Sequence, residues 1–422
     1  MKALFLSIGT RGDMEPFLAM AELFKSRGWQ VACGMPEQFR EMVEKRQLPF
    51  HGMDRRFIEL LESKEGRMIM GQQGSAFKRI GALIRVSKRS LKMQGPMILE
   101  QRQMIEEEQP DLVIYHGKCI YPVIWGLSHP GQTIQMSAMP CLVHTMDEYP
   151  NIGLRYNLGT RFNRWTYRFV NSIMAITVRR SARHVKDAVP DKKLLKPKNV
   201  KDFLVNRQAY FYAISPSLFS RHPSWPQHVR ITGFRELSKA GNYNPPPDLT
   251  DFLKRHKKIL FVSFGSMVND DPSRRTRDIL SLISKHKIPT IINTSWGGLE
   301  KPELYPDNVL FVSNVPYDWL FPQVYAVIHH GGSGTTHTGL KFGCPSLIIP
   351  HIVDQFFWGT HMEKLGVGPK AITIKKLNQK SLEPALLDLW TNESYLKKAK
   401  TIEQQMEQED YATEIMEAVQ KV

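Results

Sequence analysis

The stretch His329-His330-Gly331-Gly332-Ser333-Gly334-Thr335-Thr336 decides how this chain is read. The apolar run Tyr325-Ala326-Val327-Ile328 leads into it, and a helical pattern from Thr336 to Phe342 leads out. Three glycines, a serine and two threonines between a strand and a helix leave backbone N–H groups bare and close together. The helix N-terminus adds partial positive charge to those donors, which suits a diphosphate. An ordinary strand–helix turn explains one or two glycines. It does not explain three behind a pair of histidines, whose side chains add donors for the same oxygens. No Gly-Lys-Ser/Thr follows, so the loop is not of the Walker type.

That strand–loop–helix unit is one of a series. Ala3 to Ile8 reads as a short buried strand, and Met14 to Arg27 as a helix closed by Gly28. Gln30 to Gly34 is the next strand, and Pro36 to Lys45 a helix with proline in its first turn. Asp111 to Tyr115, Thr133 to Met136 and Ala209 to Ile214 follow, the last expected to end the sheet. His222-Pro223-Ser224-Trp225-Pro226 and Asn242-Tyr243-Asn244-Pro245-Pro246-Pro247 frame an expected interdomain linker, 222–250. A second series starts beyond it, with strands at Lys258 to Phe264, Thr290 to Asn293, Val309 to Val312, Ala326 to His329 and Ser346 to Ile349. The expected fold class is α/β, with two Rossmann-like domains (1–221 and 251–392) facing across a cleft and ligands at the carboxyl ends of the strands. A single long helical pattern, 393–422, closes the chain.

Composition bounds the rest. A chain of 422 residues, 42% hydrophobic and 23% charged, is ordinary for a globular protein of two domains. The net charge is +16, and the excess concentrates at Arg67 to Lys92 and Arg155 to Lys201, away from the glycine-rich loop. Cys33, Cys119, Cys141 and Cys344 are scattered without metal-ligand spacing and read as free thiols of a reducing cytoplasm. No apolar run approaches the ~20 residues that cross a bilayer. A nucleic-acid partner is suggested by charge alone, with no interleaved basic and aromatic motif to carry it.

The segment from Asn314-Val315-Pro316 through His330-Gly331-Gly332-Ser333-Gly334-Thr335 and Pro350 to Asp354-Gln355 resembles the donor signature of the family 1 nucleotide-sugar glycosyltransferases. Gly9-Thr10-Arg11-Gly12-Asp13-Met14-Glu15-Pro16 resembles the Gly-Ser/Thr-Arg-Gly-Asp-x-x-Pro motif of their bacterial natural-product and sterol glucosyltransferase branch. The resemblance implies the GT-B fold, whose final helix crosses back onto the first domain. It also implies metal-independent, inverting transfer of a sugar from a UDP-sugar, expected to be UDP-glucose, with no cofactor. The acceptor would be a hydroxyl of a lipophilic molecule such as a sterol or terpenoid, or of a phenolic or polyketide compound. A scaffold that binds nucleotide sugar without catalysis is the reading from another class.

By the same resemblance His330 contacts the phosphates together with Gly332, Ser333, Gly334 and Thr335. Asp354 and Gln355 hold the sugar hydroxyls, and the backbone of Val315 reads the base edge. Gly265 and Ser266, in a second strand-end turn, offer further donors. Many relatives carry a stacking tryptophan where Asn314 stands; Trp296 supplies an aromatic surface instead, or is a packed core residue. Asp13 takes the place of the catalytic base, in a cleft whose desolvation is expected to raise its basicity. It serves equally as the cap of a helix starting at Met14. His116, in Tyr115-His116-Gly117-Lys118, assists Asp13 or orients the acceptor; the sterol branch carries His-Pro-Lys there.

Pro140, Thr145 and Glu148-Tyr149-Pro150-Asn151 resemble a sterol-glucosyltransferase segment, and Met136, Met139 and Met146 would add a deformable wall for a bulky acceptor. Phe77, Ile80, Leu83, Ile84 and Leu91 form one helix face with Lys78, Arg85, Lys88 and Lys92 around it. Such a helix makes a weak peripheral membrane contact or, as its few apolar residues favour, packs over the acceptor cleft.

Overall fold

The computed structural model describes residues 1–54, 59, 63, 76–152, 156–189, 191–269, 271–294 and 297–420. The chain divides into two compact units, Met1–Glu65 with Leu83–Leu237 and Asp410–Val422, and Gly66–Ala82 with Ser238–Glu409.

The first unit runs β1 (Lys2–Leu6), α1 (Arg11–Ser26), β2 (Gln30–Pro36), α2 (Arg40–Glu44), β3 (Phe50–Met53), α3 (Ala76–Glu108), β4 (Leu112–His116), α4 (Tyr121–Gly126), β5 (Thr133–Ser137), α5 (Thr160–Ser181), α6 (Pro197–Asp202), β6 (Ala209–Tyr212) and β7 (Val229–Ile231). Its seven strands lie in the order β3-β2-β1-β4-β5-β6-β7, all parallel. Parallel strands covered on both faces read as unbroken apolar runs, as β1 and β4 do. Alternate residues then feed separate cores. Ala3 and Phe5 pack with Phe17 and Phe24 of α1, whereas Leu4 and Leu6 pack with Ile98 and Ile105 of α3.

The second unit carries α7 (Pro247–Arg255), β8 (Leu260–Ser263), α8 (Pro272–Lys285), β9 (Thr290–Asn293), β10 (Val309–Val312), α9 (Tyr317–Leu320), β11 (Ala326–His329), α10 (Ser333–Lys341), β12 (Ser346–Ile348), α11 (Gln355–Leu365), α12 (Gln379–Thr391) and α13 (Glu393–Glu407). Its five parallel strands are ordered β10-β9-β8-β11-β12. Leu260 and Val262 point into one core and Phe261 into the other.

Two expectations about organisation are corrected, and one strand is added. Ala209 to Ile214 does not end the first sheet: β7 adds a further strand and lies inside 222–250, so the change of unit comes after Leu237. The strand β3 carries no clean period-2 signal and escapes the sequence reading. The closing helix is two helices, α13 and then α14 (Ala412–Gln420), broken around Asp410. Only α14 joins the first unit, where Ala412, Ile415, Ala418 and Val419 enter the core that holds Phe17 and Phe24. Among the described residues no helix is long and apolar enough to cross a membrane.

Ile415 is 2% exposed. Ile415→Ala should therefore cost about 2–5 kcal/mol in urea unfolding of the first unit, the usual range for a buried Ile truncation. A loss below about 0.5 kcal/mol, typical of surface sites, would show that α14 is not part of that core.

Candidate active site

Each sheet has one place where the strand order reverses. In the first unit it lies between β1 and β4, because β2 and β3 stack to one side and β5 to β7 to the other. In the second it lies between β8 and β11. At such a point the connections leave toward opposite faces and open a crevice at the carboxyl ends of the strands. The turn after β1 leads into the first turn of α1, which carries Asp13, while β4 ends at His116 and the loop beyond it carries Lys118. The loops after β8 and β11 carry Gly265 and His330.

Helix α1 begins at Arg11, not at Met14, so Thr10 is its N-cap and Asp13 its third residue. Asp13 Oδ2 accepts from the Thr10 amide at 2.7 Å and from Thr10 Oγ1 at 3.2 Å, the returning half of a capping box. The other oxygen, Oδ1, accepts from Lys118 Nζ at 3.0 Å and faces His116 Nε2 at 3.4 Å. The Lys118 amide points at His116 Nδ1 (3.3 Å), which places the ring proton on Nε2, toward Asp13. Gly9, at φ +146°, lies directly over this carboxylate; a Cβ there would stand 2.1 Å from Asp13 Oδ2 and 2.7 Å from Lys118 Nζ. One oxygen of Asp13 thus serves the helix cap while the other faces Lys118 and His116.

The electrostatics correct the expected rise in basicity. Burial does push the Asp13 carboxyl upward, but the Lys118 charge, His116 and hydrogen bonds from Lys118 and Thr10 together hold it below the ordinary aspartate value. The His116 share exists only when that ring is charged. Burial and the neighbouring Lys118 push His116 down to about 4, against the pull of Asp13, so at neutral pH the lysine is the operative partner.

In the second unit the His330 ring is enclosed by two glycines. A Cβ at Gly265 would stand 2.7 Å from its Cε1, and one at Gly332 would stand 2.5 Å from its Nε2. Its Nδ1 is buried with no hydrogen-bond partner among the described residues. Burial lowers His330 to about 4 and His329 well below the usual imidazole value, so both rings are neutral at pH 7. His329 Nδ1 accepts from the Gly331 amide at 3.1 Å and shapes the turn. Helix α10 follows with Gly332 as its N-cap, and the amides of Gly334 and Thr335 in its first turn have no acceptor within the helix. The first intrahelical bond is Thr336 N–H to Gly332 O, 2.9 Å. A neutral, largely buried ring beside first-turn amides forms an anion cradle of dipoles without fixed charge.

Comparison with known proteins places this geometry. Residues 3–124 match the N-terminal domain of glycosyltransferase family 28, and residues 288–422 match the C-terminal domain of erythromycin biosynthesis protein CIII-like proteins. A sterol 3-beta-glucosyltransferase of Arabidopsis thaliana is 30% identical over 97% of this chain and 64% of its own length. That of Saccharomyces cerevisiae is 28% identical over 96% of this chain and 34% of its own. The chain thus spans less than two thirds of these curated relatives. Among solved structures, the calicheamicin glycosyltransferase CalG4 superposes with a TM-score of 0.70 at 14% identity, covering all of this chain and 98% of its own. The spinosyn rhamnosyltransferase SpnG, in complex with thymidine diphosphate, superposes with 0.64 at 14% identity, over 99% of both chains. The chain has the GT-B fold of these solved glycosyltransferases, and each of its halves matches a glycosyltransferase domain model.

The remaining expected residues fall as follows. Ser266 follows Gly265 in the turn after β8, half-buried. Val315 is buried in the second unit's core, next to Asn314 at φ +58°. Gln355 is turned inward: its Oε1 accepts from the His351 and Ile352 amides at 2.8 and 3.1 Å, and its Nε2 lies 3.4 Å from Met267 Sδ. It braces the loop before α11. Asp354 precedes that helix without making a capping hydrogen bond, and Val353 beside it is held at φ +39°, a strained setting for a β-branched residue. Met139 and Met146 are half-buried, but Met136 is fully buried in the first unit's core, so it is no wall of an open site. Trp296 lies outside the described residues.

Two residues escaped the sequence reading. Lys118 stood in the quoted motif without a role, and Gln135 gave no signal at all. The Gln135 carboxamide is fully buried with both polar atoms unpaired among the described residues, 2.7 Å from where a Cβ on Gly117 would stand. Lys118→Met should raise the Asp13 pKa and move the acid limb of the kcat/KM profile to higher pH, while Lys118→Arg keeps it in place. An acid limb that stays put in Lys118→Met would separate this lysine from the carboxylate.

Proposed function

We propose that the protein is an inverting, metal-independent glycosyltransferase that moves a hexose, glucose first, from a UDP-sugar to a hydroxyl of a lipophilic acceptor of the sterol or terpenoid class. The reading assigns the acceptor half of the reaction to the Asp13 loop and the donor half to the His330 loop. The observation that carries it is the buried Nδ1 of His330, without a hydrogen-bond partner among the described residues, beside the first turn of α10. The sterol-class acceptor follows from the curated relatives, which are named for it. A sterol resides in membranes, so peripheral contact through the basic N-terminal half belongs to the same reading. The four buried free cysteines suit a reducing cytoplasm.

In this reaction the acceptor oxygen attacks the anomeric carbon as the bond to the diphosphate breaks, and the bonding electrons leave with UDP. Attack from the face opposite the leaving group converts an α-linked donor into a β-glycoside. The hydroxyl proton passes to Asp13. A carboxylate held below its ordinary pKa is a weak base toward a free alcohol, so proton transfer must come late, once bonding to the anomeric carbon has acidified the hydroxyl. Lys118 keeps the carboxylate ionised and in place until then. Negative charge on the departing diphosphate is met by the α10 amides and the neutral His330 ring, oriented before the reaction begins.

Calorimetric titration with UDP, TDP and their glucose conjugates in EDTA is the direct test. UDP should bind without metal, and an absence of binding to any of them would favour a scaffold that has lost the donor. A Cβ at Gly334 meets nothing in the protein. Gly334→Val should therefore change stability by no more than ~0.5 kcal/mol yet weaken UDP binding about tenfold or more, ~1.4 kcal/mol. Unchanged affinity would remove the anion from α10. Asp13→Asn preserves the cap bond from Thr10 and should lower transfer to a sterol by about 10²–10⁴ with UDP affinity unaltered. Near-normal turnover in that variant would require another base.

A further inference from the structure

One face of the α5 helix is left about half exposed among the described residues. Leu158, Phe162, Trp165, Phe169, Ile173 and Ile176 recur every three or four residues, the spacing of a single helical stripe. Trp165, Phe169, Ile173 and Ile176 are 45–50% exposed, and Leu158 just before the helix is 69% exposed. The opposite face, with Tyr167, Ala175 and Val178, is buried, so the helix is firmly seated and its outer stripe is a stable feature of the surface. The Trp165 and Phe169 rings are stacked at 5.1 Å, and Phe162 lies 5.6 Å from Trp165, which makes the stripe a continuous aromatic ridge.

Charge follows the same helix. From Tyr156 to Arg183 there are six arginines and no Asp or Glu. Arg164 pairs with Asp147. Arg161, Arg168, Arg179, Arg180 and Arg183 are exposed and make no ion pair among the described residues. At 100° per residue, Arg161, Arg168 and Arg179 line one edge of the apolar stripe and Arg180 interrupts its C-terminal end. A shallow cavity of about 210 Å³, lined by Gln94, Thr177, Ile173, Ile176 and Arg180, opens on this face.

We propose that α5 docks the protein onto an anionic phospholipid bilayer, with the aromatic ridge in the headgroup boundary and the arginines on lipid phosphates. A convex ridge of tryptophan, phenylalanine and isoleucine edged by unpaired arginines fits a fluid, negatively charged surface. It moves the membrane contact expected of the Arg67–Lys92 stretch, whose side chains lie almost entirely outside the described residues, to a different helix. The inference rests on the proposed lipophilic acceptor for its purpose only; the recognition itself involves neither acceptor nor donor.

Flotation of the full chain with sterol-free vesicles separates the two. The protein should rise with vesicles of phosphatidylcholine containing 30% phosphatidylserine, stay behind with pure phosphatidylcholine, and detach as salt increases. Trp165→Ser/Phe169→Ser and, separately, Arg161→Glu/Arg168→Glu/Arg179→Glu should each lose at least tenfold of the bound fraction while UDP affinity stays unchanged. Flotation that fails in the wild type, or survives in both variants, overturns the proposal. So does a dimer in sedimentation that Trp165→Ser/Phe169→Ser dissolves, because the ridge would then cover a second copy. Absence of UDP binding with intact flotation would defeat the transferase reading and leave the docking surface standing.

Discussion

The reversal of strand order in each parallel sheet is the constraint from which the rest follows. A right-handed crossover puts its connection on one face of the sheet; at a reversal, neighbouring strands send their connections to opposite faces. The loops at that point cover no neighbour and keep their backbone amides available. Both halves of this protein use that one place. Asp13 meets Lys118 across 105 residues of chain because β1 and β4 are neighbours. Gly265 meets His330 because β8 and β11 are.

The two sites handle charge in opposite ways. The first keeps an ion pair half out of solvent, where burial raises the carboxyl and Lys118, His116 and the Thr10 amide together bring it below the ordinary aspartate value. The second relies on burial to keep His329, His330 and His351 neutral, with His351 lowered to about 3. Among the described residues that loop presents N–H dipoles and neutral rings in place of a fixed cation, an arrangement that would orient an anion without the hold of a salt bridge. The formal charge of +16 therefore has little to do with the anion cradle. Much of it lies along α5 and the segment after it, beside apolar side chains that remain about half exposed.

Much of the fold was legible because parallel strands buried on both faces are apolar throughout and end in glycine-rich turns. Thr290–Asn293, Val309–Val312 and Ala326–His329 fall where the pattern predicts. β3 and β7 were not legible: one has a half-exposed histidine and glycine, the other an exposed arginine in a proline-rich stretch. The tail misled for a related reason. Its Glu, Lys and Gln content is helical throughout, and nothing in that composition says which turns face a core.

The sequence by itself determined the class of fold, the two glycine-rich loops and the residue types for an anion and a base, because these depend on local spacing and backbone freedom. It also placed Asp13 and His330 without knowing their neighbours. Only the tertiary structure decided that Lys118, His116 and Thr10 together hold the Asp13 carboxyl below its ordinary value against the effect of burial, that Gln355 braces its own loop, and that Met136 belongs to a core. These depend on which side chains distant in sequence come within 3–4 Å, and on how much water is excluded there. A pKa, a packed side chain or an exposed ridge is a property of that neighbourhood, and no local pattern contains it.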